Sequence, residues 1–235
     1  MPETCTLADD LIRMDGWVQV AHLVPADIGV VPQYAVPVAD GWAMTQGRDS
    51  GTGSNATDDL ILSRFEGEKL VETRTFLKGG HGDRAYSVDG RLVVQIHGVW
   101  RTVVPGIAPT AAATPARCAL PGLVGLQGEV GLPDGRWLRL YGESIKGGTE
   151  RDPTHRPAFL QVIEGVKVVL TIDLDNVARD EAGLPIGGRY EPEGATVGDI
   201  DGEPWILVGF AVGRLGNTTM NVYGKPLRLV NPTKG

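Results

Sequence analysis

The chain has 235 residues, is 42% hydrophobic and carries a formal net charge of −7, with a sequence pI of about 5.1. That length buries a core as one large or two small domains. Its 22 Lys+Arg are spread evenly through an acidic chain, which makes a poor polyanion binder, so nucleic acid is not expected as a partner.

Glycine (33) and proline (16) are plentiful, and long stretches of helical periodicity are missing. Short strands joined by turns, an all-β fold, are the expectation. The N-terminal MPETCTLADD is acidic and lacks an apolar signal core, so no secretory signal is expected. Apolar runs are cut by Gly, Pro and Arg well short of a membrane span, which predicts a soluble protein with no membrane insertion. Two cysteines, Cys5 and Cys118, are too few for a disulfide framework or a four-cysteine zinc site, and a reduced pair is expected. Of the 22 basic residues six are Lys and 16 Arg, a bias of high-GC genomes.

In chain order, residues 1–32 read as an attachment or packing segment with a short helix over Thr6–Met14, and residues 33–235 as the β domain. QYAVPVADGWAMTQG sets an Asp-Gly turn between two apolar runs, the strongest short-range hairpin signal. A second hairpin is expected around Glu66-Gly67-Glu68 and another around Glu164-Gly165. Residues 105–122, rich in Pro and small side chains, read as a long loop or linker. The carboxylates and amide of Asp173, Asp175 and Asn176 lack the glycine and distal glutamate of a calcium loop, so they predict a solvated turn before a short helix near Val177–Glu181.

Four segments resemble one another: VADGWAM, VDGRLVV, PDGRWLRL and IDGEPWIL. Each places an Asp-Gly turn before an apolar strand, and Asp40, Asp89, Asp134 and Asp201 are spaced by 49, 45 and 67 residues. A period of several strands at that length suits propeller blades, which must stack on neighbours to bury both faces. Gly128 and Gly198, just upstream of two of the turns, suit inner strands crowded near an axis. A small β-propeller of four to five blades is therefore predicted, with a β-sandwich as the alternative.

Three stretches carry a family resemblance. Gln33–Met44 is similar to a strand of the form Q-(S/G)-φ-A-φ (φ, apolar) leading to an Asp-Gly type turn; LKGGHGD at Leu77–Asp83 is similar to LKG-x-GHG and one residue tighter; EPEG at Glu191–Gly194 and GFA at Gly209–Ala211 match EPxG and GFA. Together they resemble the β-propeller shared by receptor-binding proteins of small staphylococcal phages and teichoic acid biosynthesis protein C-like proteins, over residues 33–224. The resemblance implies five blades, of which four are visible, and recognition of a cell-envelope glycopolymer of a Gram-positive host.

The stretch TFLKGGHGDRAYSVDG poses the sharpest local question. His81 and Asp83 lie two apart, as in a metal pair or a His–carboxylate couple, yet the glycines around them also suit a tight loop. No G-x-S-x-G elbow, HExxH or Cys/His cluster accompanies them, so neither catalysis nor a metal or other cofactor is expected. His22, His97 and His155 are isolated. Trp42, Trp100, Trp137 and Trp205 fall beside equivalent turns, where they serve inter-blade packing or stack on sugar faces, and Tyr86, Tyr141 and Tyr190 sit near turns. The candidate ligand-binding residues are His81, Asp83, Trp42, Trp100, Tyr86 and Arg84.

The function expected is that of a phage tail receptor-binding protein, not an enzyme, located at the tail tip or fibre of the virion and made in the host cytoplasm. Its expected partners are a host cell-wall glycopolymer or saccharide, other tail proteins and copies of itself. A neutral saccharide is favoured over an anionic polymer on charge, unless a patch such as Arg84, Arg91 and Arg101 compensates. The alternatives are a structural tail-tip subunit and a wall-polymer hydrolase; the latter needs two carboxylates in one cleft, from among Asp83, Glu191, Glu193 and Asp199.

Overall fold

The computed structural model describes residues 11–26, 30–48, 59–77, 82–88, 91–96, 99–102, 126–132, 134–142, 158–174, 177, 190–214 and 217–230. They form sixteen strands in four open sheets and one 3-10 helix at Leu227–Val230. The all-β expectation holds.

The first sheet is a meander of β3 (Val30–Val38), β4 (Gly41–Arg48), β5 (Asp59–Glu66) and β6 (Lys69–Leu77). The second holds β7 (Gly82–Val88), β8 (Arg91–Ile96) and β9 (Val99–Thr102). In the third, β10 (Leu126–Gly131), β11 (Trp137–Tyr141), β12 (Phe159–Glu164) and β13 (Lys167–Asp173) run in order. The fourth contains β14 (Tyr190–Ile200), β15 (Glu203–Arg214) and β16 (Asn217–Pro226).

The N-terminal strands complete two of these sheets. β1 (Leu11–Arg13) pairs parallel with β13 at the edge of the third sheet, and β2 (Val18–Leu23) pairs antiparallel with β16 at the edge of the fourth. Of the helix expected over Thr6–Met14, Leu11–Arg13 is a strand, and Thr6–Asp10 lie outside the described residues. The spacing of Leu11, Ile12 and Met14 suits a helix, but the open edge of β13 supplies ladder partners that an isolated helical turn lacks. Met14 and Trp17 pack on the core between β1 and β2, and Lys225 Nζ donates to the Asp15 carbonyl at 2.6 Å.

Three cores lie between successive sheets. Leu138, Leu140, Leu160, Val162 and Ile172 of the third sheet meet Ile206, Val208 and Phe210 of the fourth. Leu207, Met220 and Val222 of the fourth meet Ala35, Trp42, Met44 and Phe65 of the first. Tyr34, Val36, Ala43 and Leu60 of the first meet Val94 of the second. Strand β15 shows why its sequence is almost continuously apolar. Ile206, Val208, Phe210 and Val212 feed one core and Leu207, on the opposite face, feeds another, so period-two alternation buries both faces.

The first strands of the sheets touch one another in sequence: β3 with β7, β7 with β10, β10 with β14, and β14 back to β3. The Asp-Gly hairpins hold the same place in their sheets. Asp40, Asp134 and Asp201 sit at the turns β3–β4, β10–β11 and β14–β15, each joining a first strand to a second. Asp89-Gly90 lies outside the described residues, between β7 and β8, which pair down to Val88 opposite Arg91. At Asp201-Gly202 both φ angles are positive (54° and 80°), as the tight hairpin turn demands. The hairpins expected at Glu66–Glu68 and Glu164-Gly165 are present as β5–β6 and β12–β13. Residues 105–122, both cysteines, Asp175, Asn176 and the segment 178–181 lie outside the described residues.

Candidate functional site

Every first strand carries a β-bulge, and all four occupy the same end, away from the Asp-Gly turn. In β3 the ladder steps from Pro32–Gln46 to Tyr34–Thr45, leaving Gln33 as the extra residue. In β7 it steps from Gly82–Ile96 to Arg84–Gln95, leaving Asp83. In β10 it steps from Leu126–Tyr141 to Gly128–Leu140, leaving Gln127, and in β14 from Pro192–Phe210 to Gly194–Gly209, leaving Glu193. All four extra residues bear a carboxylate or a carboxamide. A bulge re-aims a side chain and sharpens the local twist, which is why bulges collect beside functional sites.

The residue after each bulge decides how closely the strands approach. Gly194 faces the Tyr34 ring so tightly that an added Cβ would stand 2.1 Å from Tyr34 Cδ1. A Cβ added at Gly128 would stand 3.3 Å from the Ala195 nitrogen and 3.6 Å from the Gly194 Cα, a tight contact without overlap. Tyr34 therefore reaches from β3 across β14, and its hydroxyl donates to the Gln127 carbonyl of β10 at 2.7 Å. The bulges of three strands thus surround one aromatic ring. Gln127 Nε2 donates to the Gly142 carbonyl at 3.0 Å, which anchors its side chain. Glu193 is buried, with 4% of its surface exposed, while Gln33 is half-buried.

Beside this cluster, Glu129 and Arg139 are directly opposed on β10 and β11 and form a buried ion pair at 2.7 Å. Two of the turn aspartates, at the other end of the sheets, also have cationic partners. Asp40 accepts from Arg64 at 3.1 Å, and Arg136 holds the Asp134 carboxyl below its usual range, chiefly through a side-chain hydrogen bond. Among the described residues no group of three or more His, Cys, Asp or Glu is placed to hold a metal ion.

The sequence-predicted residues divide as follows. Asp83 is the bulge residue of β7 and Arg84 follows it, so both belong to the ring of equivalent positions. Tyr86 lies further along β7, opposite Val93, and Trp100 lies in β9, opposite Gln95. His81 lies outside the described residues, so the question posed by the Gly-His-Gly turn rests on its neighbour Asp83. Trp42, 9% exposed, is core between the first and fourth sheets; the packing role holds for it, and it offers almost no ring face to a ligand. Trp205 is half-buried against the same core, and the half-buried Trp137 ring lies over Gly131. The bulge residues Gln33, Gln127 and Glu193 were missed as a set. Their signal was present: Gln33 precedes Asp40 by seven residues, Asp83 precedes Asp89 by six, Gln127 precedes Asp134 by seven and Glu193 precedes Asp201 by eight.

No protein-family model matches the sequence, and no curated protein is similar to it. Among solved structures, the tail fiber of Staphylococcus aureus phage P68 matches with a TM-score of 0.57 at 12% identity, over 89% of this chain and 52% of that one. The fold resembles that of a phage tail fibre. At that identity the likeness concerns fold, and this chain spans about half the length of the fibre chain. A glycosyl hydrolase from Bacteroides ovatus matches with a TM-score of 0.35 at 10% identity, over 87% of this chain and 66% of that one, too distant to carry an argument. No helix among the described residues is long and apolar enough to cross a membrane.

Proposed function

We propose that this chain is a phage tail protein that contacts a cell-envelope glycopolymer of a Gram-positive, high-GC host by non-covalent binding. The observation that carries the proposal is the fold likeness to the phage P68 tail fiber over 89% of the chain. It joins the motif resemblance over residues 33–224 to proteins of the same class. We take the four sheets as blades of a small propeller. The closed cycle of contacts among β3, β7, β10 and β14 supports that arrangement, as does the equivalent place of the Asp-Gly hairpins. Within the N-terminal packing and attachment segment proposed over residues 1–32, β1 and β2 join the third and fourth sheets and β3 of the first sheet begins at Val30.

The ligand contacts proposed are His81, Asp83, Arg84, Tyr86 and Trp100, all on or beside the second sheet. With a net charge of −7, a neutral saccharide is the favoured ligand over a polyphosphate. The protein works within the virion beside other tail proteins and further copies of itself. Shallow sugar contacts bind weakly one at a time, and several copies on one tail raise avidity by orders of magnitude.

Labelled protein, monomeric and artificially multimerised, is incubated with intact walls from a panel of high-GC Gram-positive bacteria. The multimer is expected to adhere to one wall type and to release no soluble sugar or phosphate, the monomer to adhere barely. Release of wall fragments would instead favour the hydrolase. Absence of adhesion by the multimer would leave a structural tail subunit.

A further inference from the structure

We propose that the outer edge of the first sheet pairs with the same edge of a second copy of this chain, β6 against β6, antiparallel about Thr73. This names the contact between copies and rests on the reading above that the chain acts in several copies. The first sheet differs from the two that the N-terminal strands complete. β1 covers the edge of β13 and β2 that of β16, whereas β6 ends its sheet and pairs with β5 alone among the described residues. Every residue from Val71 to Thr75 is exposed, on both faces of the strand. Such an edge offers a row of backbone donors and acceptors to any strand that can lie beside it.

The strand restricts what that neighbour can be. Its ladder to β5 steps past Val71 and Phe76, so bulges bound a regular stretch at Glu72–Thr75. Bulges twist the ends of an edge strand away from a neighbour, which leaves this stretch as the window for pairing. Within it Glu72 and Arg74 project from one face, 3.8 Å apart and both exposed.

Charge then selects the partner and the register. A two-fold axis through Thr73 sets Glu72 of each copy opposite Arg74 of the other, so one contact makes two cross-strand pairs of opposite charge. A slip of one residue leaves both charges without a cross-strand partner. A slip of two sets Glu72 against Glu72 or Arg74 against Arg74, and a parallel in-register pairing sets both like charges side by side. A foreign edge meets the same penalty unless it carries the same spacing of charge. The edge therefore rejects other strands and accepts its own copy.

Disulfide trapping on the full chain tests the edge, with Cys5→Ser and Cys118→Ser as background and Thr73→Cys as reporter at the axis. Under mild oxidation a covalent dimer is expected to form about tenfold faster than with Thr75→Cys, which does not face its own counterpart across the axis. Glu72→Arg and Arg74→Glu, each checked for an unchanged thermal melt, set like charges opposite when alone and opposite charges when mixed. Trapping through Thr73→Cys is expected to fall about tenfold in either variant and to return in their mixture as a mixed dimer. Equal trapping at Thr73→Cys and Thr75→Cys, or no recovery in the mixture, overturns the pairing. The artificial multimer of the wall-adhesion assay needs no strand pairing, so its adhesion reports the tail function alone. Adhesion without trapping removes the edge and leaves the tail function. Trapping in a protein that adheres to no wall removes the glycan reading and leaves the edge.

Discussion

The Tyr34 hydroxyl donates to the Gln127 carbonyl at 2.7 Å, joining first strands that are 93 residues apart in the chain. Tyr34→Phe removes the donor and leaves a part-buried carbonyl unpaired. We expect a loss of about 1–3 kcal/mol in urea unfolding. An unchanged midpoint and slope would show that the hydroxyl does not tie the sheets.

Gly194 tests the same contact from the other side. An alanine Cβ there would overlap the Tyr34 ring, so Gly194→Ala is expected to cost roughly 1–3 kcal/mol as overpacking. In a Tyr34→Ala background the same substitution should cost much less. Additive losses in this double-mutant cycle would contradict the close approach of β3 and β14.

The Glu129–Arg139 pair is buried on both sides. Removing one member takes from the other buried charge its 2.7 Å partner, so Glu129→Gln and Arg139→Met are each expected to lose roughly 3–5 kcal/mol. The double substitution should lose less than the two together. Calorimetric melts of the three variants provide the check.

Burial raises the Tyr223 phenol above its usual range, and the hydrogen bond from Asn221 Nδ2 opposes that only in part. The folded state therefore keeps a proton that the unfolded chain gives up near pH 10. Stability from this group is full below that pH and is lost as pH rises through the folded value. Tyr223→Phe should flatten the alkaline fall in melting temperature. An identical alkaline profile would place the titration elsewhere.

Glu68, in the β5–β6 turn, accepts the His22 backbone N–H at 2.7 Å and so caps the outer edge of β2. His22 Nδ1 lies 2.6 Å from Asn221 Oδ1, which requires the hydrogen on Nδ1. Glu68→Ala is expected to speed hydrogen exchange at the His22 amide while amides within β15 keep their protection. Unaltered exchange at His22 would mean that the carboxylate does not guard the edge.

The hairpins were legible in the sequence because turn chemistry is local. Asp201-Gly202 specifies its turn through two residues that tolerate positive φ, with no information from elsewhere. The pairing of β1 with β13 and of β2 with β16 was not legible. Neither LIR nor VQVAHL says which distant edge will receive it, and Leu11–Arg13 was taken for helix for that reason. The bulges escaped for a related cause: an extra residue is defined only against its partner strand. Asp83 and Arg84 were singled out for their chemistry, while Gln33 and Gln127, ordinary amides in apolar runs, gave no comparable cue. Trp42 was recognised as aromatic beside a turn, but only the fourth sheet across from it shows its face to be covered.

The placement of β1 and β2 also governs the order of events in synthesis. Both strands leave the ribosome early, and their partners, β13 at Lys167–Asp173 and β16 at Asn217–Pro226, leave it late. Until then Ala21 and Leu23, core residues of the finished molecule, have no fourth sheet to enter. Contacts of such long sequence separation make folding slow, and the waiting strand is exposed to pairing with the wrong edge. The nascent chain therefore carries two unpaired edge strands until their late partners emerge.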